Sequence, residues 1–503
     1  MTLTTEATSE GFEFVVVANR LPVDRARQED GSFIWRTSPG GLVTALSPVM
    51  EQMGGAWVGW AGEDSEGVTE FQHGSTHIVP VPLSADEVEL YYEGFSNDTL
   101  WPLYHDVIAP PTYHREWWDA YVTVNERFAA AAAAVSAHGA TVWVHDYQLQ
   151  LVPGLLRELR PDLIIGFFNH IPFPAYGLFS QLPWRNQIVK GLLGADVIGF
   201  QRTADAANFS RAVRRLMGYE TKGTSIYVPL ESDQGDMNTG GYRKGGPTRR
   251  VLAKHFPISI DFQSFEELAR SPEVQARAAQ IREELGSPTT ILFGVDRLDY
   301  TKGIRHRLKA YGELLEDGRV KAEDTTLVQV ASPSRERVET YRQLRDEIEL
   351  TVGRINGDYG TIGHAAVNYL HHGYPREEMV ALYLAADVML VTALRDGMNL
   401  VAKEYVATRF DNDGVLVLSE FAGASDDLKQ ALLINPHDIA GLKDSIMEAI
   451  NMPARERGRR MRSMRKRVRD NDVARWSHDF LTELARSSAA RHSEALGHSV
   501  GTI

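Results

Sequence analysis

Cysteine, long apolar runs and excess positive charge are all missing from this sequence. The 503 residues include no cysteine, which excludes disulfides, thiolate zinc sites and cysteine nucleophiles, and which fits a reducing compartment. The longest apolar stretch, near residues 128–135, is far too short to span a bilayer. No basic residue precedes Arg20, so the N-terminus does not read as a secretory signal. The net charge of -14 argues against nucleic-acid binding. We therefore expect a cytoplasmic protein without nucleic-acid or membrane partners.

One segment, residues 455–469, is densely basic against this acidic background. Met461, Met464 and Val468 recur within it at helical spacing. This pattern favours a helix that docks through an apolar stripe and exposes a charged face, rather than an anion or nucleic-acid patch.

Short apolar runs alternate with longer periodic segments along the chain. Two series of runs read as buried strands that end in polar residues, namely FEFVVVANR, ATVWVHDY, LIIGFFNH and DVIGFQ, and then TTILFGVDR, TTLVQVASP, DVMLVTALRDG and GVLVLSEF. A helical pattern such as Ile304, Leu308, Tyr311 and Leu315 lies between runs. This alternation predicts βαβ units and parallel sheets. A polar, glycine-rich stretch at 230–250 separates the two series, and we place a domain boundary just after it.

In open α/β sheets, ligands bind outside the carboxyl ends of the strands. Several run ends carry reactive or charged side chains: Asn19–Arg20, His145–Asp146, Asn169–His170, Asp296–Arg297, Ser334–Arg335 and Arg395–Asp396. Two domains with such strand ends predict a ligand held in a cleft between them.

The segment VDRLDYTKGI places Arg297 and Lys302 in a loop that opens a helix. Cations beside free N–H groups at a helix start suit a phosphate or diphosphate, although solvated cations in a surface loop fit the pattern equally well. Gly40 and Gly41 open another helix, where a tight turn is the favoured interpretation. Asp396 precedes a third helix, and the pattern alone leaves helix capping and ligand binding equally open.

Aromatic residues and histidines mark other candidate positions. Trp60, Tyr92 and Trp101 could face sugar rings, but from pattern alone a core role is favoured. Asp146 could bind hydroxyls or move protons, and His170 fits a structural role equally well. Neither histidine run has the spacing of a metal site, so no metal is expected.

Together these motifs resemble a known family. VVANRLPV, SPGGLVTAL, WVGWAG, YYEGFSN, LWP, VHDYQL, FFNHIPFP, GVDRLDYTKG, GRINGDYG and LRDGMNLVAKEYVA occur in the order found in trehalose-6-phosphate synthases, the retaining nucleotide-sugar glycosyltransferases of family 20. The resemblance extends from about residue 12 to about residue 485. The ordered set is specific, whereas single pairs such as NR or GG mean little.

The resemblance implies the α/β GT-B fold, with two Rossmann-like parallel-sheet domains facing across a cleft. Residues 1–254 would form an N-terminal acceptor-binding domain, and a C-terminal helix at about 473–487 would pack back on it. Residues 255–472 would bind the nucleotide sugar. A homo-oligomer, dimer or tetramer, is also expected.

The implied reaction moves glucose from a nucleoside-diphosphate glucose to glucose 6-phosphate and forms α,α-trehalose 6-phosphate. UDP-glucose is the first choice of donor, with ADP- and GDP-glucose as alternatives. The family is thought to react on one face of the sugar: the leaving phosphate accepts the acceptor's proton, and no covalent intermediate forms. The nucleotide sugar is then a co-substrate, and no obligatory cofactor or metal is implied.

The resemblance also assigns residues to each substrate. The donor would be bound by Gly40, Gly41, Arg297, Lys302, Tyr374, Asn399, Leu400, Val401, Ala402, Lys403 and Glu404. The acceptor would be bound by Arg20, Trp60, Tyr92, Trp101, Asp146 and Arg335. Catalysis would involve Asp146, His170, Arg297, Lys302 and Asp396. His170 and Asp396 would contact the transferred glucose, and Glu404 would bind the ribose.

Two alternatives remain open at this stage. A related transferase could use another phosphorylated polyol or cyclitol, since Arg20 and Arg335 favour a phosphorylated acceptor without fixing the sugar. A catalytically silent sugar-phosphate sensor on the same fold is the second alternative. Four residues argue against a sensor, namely Arg297, Lys302, Asp396 and Glu404.

Overall fold

The computed structural model describes residues 11–27, 33–38, 41–62, 67–230 and 246–499. The chain divides into a first unit, Met1–Phe256 with Ser477–Ile503, and a second unit, Pro257–Trp476. Gly40 and most of the 230–250 stretch lie outside the described residues. Within the described ranges, no helix has both the length and the apolar character needed to cross a membrane.

Strands and helices alternate through both units. The strands are β1 Phe12–Arg20, β2 Val23–Arg27, β3 Phe33–Thr37, β4 Gly55–Trp60, β5 Phe71–His73, β6 Thr76–Pro80, β7 Ser136–His145, β8 Ile164–Phe168, β9 Val197–Phe200, β10 Glu220–Lys222, β11 Ser225–Pro229, β12 Thr248–His255, β13 Thr290–Arg297, β14 Thr325–Ser332, β15 Val367–Leu370, β16 Val388–Val391, β17 Val415–Ser419 and β18 Leu432–Ile434. The α-helices are α1 Gly41–Met53, α2 Ala85–Glu87, α3 Trp101–Tyr104, α4 Arg115–Val135, α5 Val152–Leu159, α6 Tyr176–Phe179, α7 Arg185–Leu192, α8 Thr203–Met217, α9 Phe262–Arg270, α10 Pro272–Glu284, α11 Ile304–Glu316, α12 Glu339–Tyr359, α13 Arg376–Ala385, α14 Leu400–Thr408, α15 Ala424–Asp427, α16 Ile439–Ile450, α17 Ala454–Asp470 and α18 Val473–Ser499. A π-helical segment, Val88–Leu100, and two 3-10 turns, Tyr147–Leu149 and Tyr300–Lys302, complete the described elements.

The second unit is built on a parallel sheet with the strand order β15-β14-β13-β16-β17-β18. This is the order of a Rossmann fold, and it reverses direction between β13 and β16. All residues of β16 and β17 are buried, as expected for a parallel sheet covered on both faces. The four apolar runs predicted as strands in this region form β13, β14, β16 and β17, so that prediction is confirmed.

The first unit is also built on a mainly parallel sheet, which is longer and has the order β10-β11-β12-β9-β8-β7-β1-β4-β6-β5. The strands from β12 to β6 are parallel, and antiparallel strands close both edges. Here the order reverses between β1 and β7. The four predicted runs form β1, β7, β8 and β9, which confirms them as buried parallel strands.

The C-terminal helix α18 packs on this first sheet. Phe480 is completely buried, and its ring stacks on Trp143 of β7 at 4.6 Å between centroids. Gly166 and Gly199 make room for it, since a Cβ at either position would lie 2.8 and 2.9 Å from the Phe480 ring. The last part of the chain therefore completes the core of the first unit.

The basic segment forms helix α17. Met461, Met464 and Val468 are buried along one side, which confirms the predicted apolar stripe. The buried Arg465 guanidinium donates to the carbonyl of Ala407 at 2.6 Å. The helix is thus an integral part of the second unit.

Candidate active site

Lys302 and Asp396 meet at the switch point of the second sheet. Lys302 follows β13 and Asp396 follows β16, and the Nζ to Oδ2 distance is 2.6 Å. Gly303, with φ +67°, permits this approach, because a Cβ there would lie 2.0 Å from the carbonyl oxygen of Thr392. Both charged side chains are 13% exposed, so their attraction is only weakly screened.

Helix α14 begins directly beside this pair. Its N-cap is Asn399, at φ 78°, whose side-chain oxygen accepts from the N–H of Ala402 at 3.1 Å. Asn399 Nδ2 also donates to Asp396 Oδ2 at 3.2 Å. Capping, which the sequence left open for Asp396, therefore belongs to Asn399. Helix geometry leaves the N–H groups of Leu400 and Val401 without intrahelical acceptors at the positive end of the helix.

Glu404 lies one turn further along α14 in a partly buried position. Tyr383 of α13 donates its hydroxyl to Glu404 Oε2 at 2.8 Å. Burial raises the pKa of Tyr383 well above its usual range, so the phenol remains a donor. Burial also raises the pKa of Glu404, and the Tyr383 hydrogen bond opposes this shift. The second carboxylate oxygen, Oε1, has no hydrogen-bond partner among the described residues.

Lys403 points away from this group. Its ammonium donates to the carbonyl of Ile258 at 2.8 Å and to Asp427 at 2.9 Å, and the side chain is buried. This ion pair joins α14 to neighbouring elements. Because the side chain of Lys403 is occupied by these contacts, its predicted contribution to donor binding would come from its main chain.

A second charged group surrounds Asp299, which follows β13. Arg335, with φ 51°, places its guanidinium 3.4 Å from Asp299 and in hydrogen-bond contact with Tyr341. Burial alone would raise the pKa of Asp299, but the charges of Arg335, Arg297 and Lys302 outweigh it and lower the pKa to about 2. The loops after β13 and β14 therefore concentrate positive charge at this sheet edge.

Tyr374 lies between β15 and α13, after the strand next to β14. Its ring is half-buried and stands 4.4 Å from the ring of His372. Burial raises the pKa of Tyr374, so its hydroxyl stays protonated.

In the first unit, Arg20 ends β1 and Trp60 ends the neighbouring β4. The guanidinium of Arg20 lies 4.9 Å above the Trp60 ring and pairs with Asp24 at 2.9 Å. Trp60 is 3% exposed, and its Nε1 has no hydrogen-bond partner among the described residues. Tyr92, from the π-helical segment, places its ring 5.9 Å from Trp60. These three predicted acceptor residues form one cluster.

Trp101, another predicted acceptor residue, is also buried. It begins α3, and its ring lies 4.1 Å from the ring of His105, tilted by 33°, and 5.6 Å from the ring of Tyr147. Its ring therefore supports the segment that follows Asp146.

Asp146 and His170 follow the adjacent strands β7 and β8. Asp146 has φ 74°, a strained conformation for a residue with a side chain, and its N–H donates to the carbonyl of Phe168 at 2.8 Å. Its carboxylate accepts the main-chain N–H of His170 at 3.1 Å. The imidazole of His170 contacts that of His145 at 3.1 Å, and burial lowers the pKa of His170 to about 3. His170 is therefore neutral near pH 7.

Three side chains to which the sequence assigned no role contact predicted ones, namely His145, Asp299 and Tyr383. His145 and Asp299 lie within the motifs VHDYQL and GVDRLDYTKG, and this position could have identified them as candidates. Tyr383 gave none, because it lies on a different helix from Glu404. Within the described ranges, no group of three or more potential His, Cys, Asp or Glu ligands could hold a metal ion.

The Rossmann-type strand order of both sheets, together with the similarity to solved trehalose-6-phosphate synthase structures, identifies the chain as a glycosyltransferase of the GT-B class. The chain belongs to glycosyltransferase family 20, whose family model matches residues 12–486. It is 57% identical over 482 residues to trehalose-6-phosphate synthase of Mycobacterium avium, covering 94% of this chain and 96% of that protein.

Solved structures agree with this assignment. A UDP-forming α,α-trehalose-phosphate synthase from Burkholderia vietnamiensis matches with a TM-score of 0.84 and 33% identity, covering 96% of this chain and 99% of that one. The Burkholderia xenovorans enzyme in complex with glucose-6-phosphate matches with a TM-score of 0.83 and 32% identity, covering 94% and 100%. These similarities confirm the predicted family, the GT-B fold and the glycosyltransferase class.

Proposed function

We propose that this chain transfers glucose, with retention of configuration, from UDP-glucose to glucose 6-phosphate, forming α,α-trehalose 6-phosphate in trehalose biosynthesis. The observation that carries the proposal is the contact of the Lys302 ammonium with the Asp396 carboxylate at the start of α14. A cation, a hydroxyl-binding carboxylate and a positive helix end are thereby combined, as a nucleotide sugar requires. The UDP-forming and glucose-6-phosphate-bound relatives support the two substrates.

The donor half of the reaction follows from the second unit. As the glycosidic bond breaks, negative charge grows on the leaving diphosphate, and Arg297 and Lys302 stabilise that charge more than they stabilise the ground state. Asp396 accepts hydrogen bonds from Lys302 and Asn399, so it suits binding of glucose hydroxyls rather than attack on carbon. The free Oε1 of Glu404 accepts from the ribose. The leaving phosphate takes the proton of the acceptor hydroxyl, so no protein nucleophile is needed.

The acceptor half rests on cations and aromatic rings. Arg20 and Arg335 each suit a phosphate group, since one guanidinium can donate two parallel hydrogen bonds to phosphate oxygens. Trp60 supplies a buried N–H without a protein partner, and Tyr92 an adjacent ring. The strained Asp146 aims a carboxylate from the end of β7, where it can accept from a sugar hydroxyl. For Gly40 and Gly41 we keep the proposed role in donor binding, in which the main chain of their loop approaches the donor.

Release of nucleoside diphosphate tests the proposal. The purified protein is supplied with UDP-, ADP- or GDP-glucose and with glucose 6-phosphate, unphosphorylated glucose or an inositol phosphate. We expect release that depends on glucose 6-phosphate and is fastest with UDP-glucose. Release only with the inositol phosphate would favour the alternative acceptor, and no release with any pair would favour the sensor and refute the transferase.

We further propose that the enzyme works in the cytoplasm as a homo-oligomer. The lack of cysteine is in keeping with a reducing compartment. Sedimentation velocity of the purified protein tests the assembly, because a single species of 56.1 kDa at micromolar concentration would contradict it.

A further inference from the structure

Tyr91 is a buried residue to which the transfer chemistry above gives no role. It precedes Tyr92 in the π-helical segment, and its side chain is completely buried. Its hydroxyl donates to Asn19 Oδ1 at 2.8 Å and lies 3.3 Å from the carbonyl oxygen of Gln148. Burial raises the pKa of Tyr91 well above its usual range, so the hydroxyl keeps the proton that these contacts need. One buried hydroxyl thereby joins the end of β1 to the loop after β7.

This link lies beyond the last paired residues of the two strands. The paired register of β1 and β7 ends with Val17 opposite Val144. After this point Arg20 pairs with β4, and Asp146 donates its N–H to a carbonyl of β8. The strand order reverses here, and neighbouring strands at such a reversal lead their loops apart and leave a crevice for a ligand. The spacing of Arg20 and Asp146 therefore depends on contacts beyond the paired strands, such as the one that the hydroxyl makes.

The loop that follows Asp146 is also held by buried side chains of α4. The carbonyl of Gln148 accepts from Asn125 Nδ2 at 3.0 Å. Tyr121 donates its hydroxyl to the carbonyl of Tyr147 at 2.7 Å. Both side chains from α4 are completely buried. Contacts of this kind allow the strained main chain of Asp146 to persist. Helix α4 thus fixes the loop itself, and the hydroxyl described above ties that loop to β1.

We infer that Tyr91 is a positioning residue, whose hydroxyl holds Arg20 and Asp146 at the spacing that the acceptor requires. The inference rests on the proposed function, in which both residues bind glucose 6-phosphate. Tyr91 acts through Asn19 and through the main chain of Gln148, so it needs no contact with either substrate. Loss of the hydroxyl should therefore weaken use of the acceptor and leave the donor residues of the second unit unaffected.

Two matched substitutions test this role. Tyr91→Phe removes only the hydroxyl. Tyr104→Phe is the control, because Tyr104 is also completely buried but donates its hydroxyl to the side chain of Gln150, at 2.7 Å, rather than to β1. We expect similar falls in melting temperature, since each variant leaves a buried acceptor without its donor. In Tyr91→Phe, kcat/KM for glucose 6-phosphate should fall about 10- to 100-fold with the KM for UDP-glucose unchanged, because small displacements of binding groups cost this much. In Tyr104→Phe both values should stay close to those of the wild type.

Hydrogen exchange measured by mass spectrometry gives a second readout, which does not depend on activity. Tyr91→Phe should speed amide exchange in the peptides around residues 18–22 and 146–151, whereas Tyr104→Phe should leave the first peptide unchanged. Equal kinetic losses in the two variants, or unchanged exchange in Tyr91→Phe, would overturn the inference. Wild-type protein that releases no nucleoside diphosphate would instead refute the proposed function, and exchange in the two peptides would then decide the role of Tyr91.

Discussion

Replacing Phe480 with alanine tests how the end of the chain supports the first unit. The ring is completely buried and contacts Trp143 at 4.6 Å, Phe256 at 5.1 Å and Phe168 at 5.9 Å. Phe→Ala in a core costs about 3 to 5 kcal/mol. We expect the upper half of that range, about 4 to 5 kcal/mol, because lost aromatic pairs add about 0.5 to 1.5 kcal/mol each. Gly166, beside the ring, has no side chain to fill the cavity.

Urea unfolding followed by tryptophan fluorescence and circular dichroism measures this loss. The matched control is Arg486→Ala, an exposed position on the same helix, which we expect to change the free energy of unfolding by no more than about 0.5 kcal/mol. Activity should fall as well, since Trp143 supports the ring of His145. A loss below about 1 kcal/mol for Phe480→Ala would refute the view that α18 is part of this core.

Three further predictions concern the site. Lys302→Ala should lower kcat about 100- to 1,000-fold by removing a cation from the leaving diphosphate, whereas Lys309→Ala, exposed on α11, should leave kcat unchanged; equal rates would contradict the assignment. Tyr383→Phe should raise the KM for UDP-glucose about 10-fold or more by releasing Glu404, as initial rates will show, and an unchanged KM would contradict this role. Acid should destabilise the fold through His170: its pKa falls from 6.5 to about 3 on folding, so the unfolded chain binds the extra proton as pH drops below 6.5. At pH 5 this costs about 2 kcal/mol, and His170→Asn should flatten the dependence of unfolding free energy on pH by that amount; an unchanged slope would contradict the shift.

The parallel core was predictable because its strands are short apolar runs with polar ends. β13 and β16 show this pattern clearly, and their buried residues match it. The edge strand β10 was not predicted, since Glu220–Lys222 contains no apolar residue and pairs only through its main chain. An edge strand of this kind forms because it pairs with the neighbouring strand, and its own sequence does not predict it.

The candidate site was predictable where a motif brought its residues to a strand end, as for Lys302 and Asp396. Contacts between elements far apart in the sequence were not predictable in this way. Tyr383 reaches Glu404 only because α13 packs beside α14, and Lys403, inside the same motif, turns to Asp427 instead. Spacing along the chain cannot tell which face of a short buried helix meets a ligand.

The structure of the product tests the central claim most directly. The protein is incubated with UDP-glucose labelled with 13C at C1 and with unlabelled glucose 6-phosphate, and the product is examined by NMR and mass spectrometry. We predict one phosphorylated disaccharide in which the labelled carbon is α-linked to the α-anomeric carbon of glucose 6-phosphate. Free labelled glucose, a β-linkage, or a label attached to any other carbon would contradict the account.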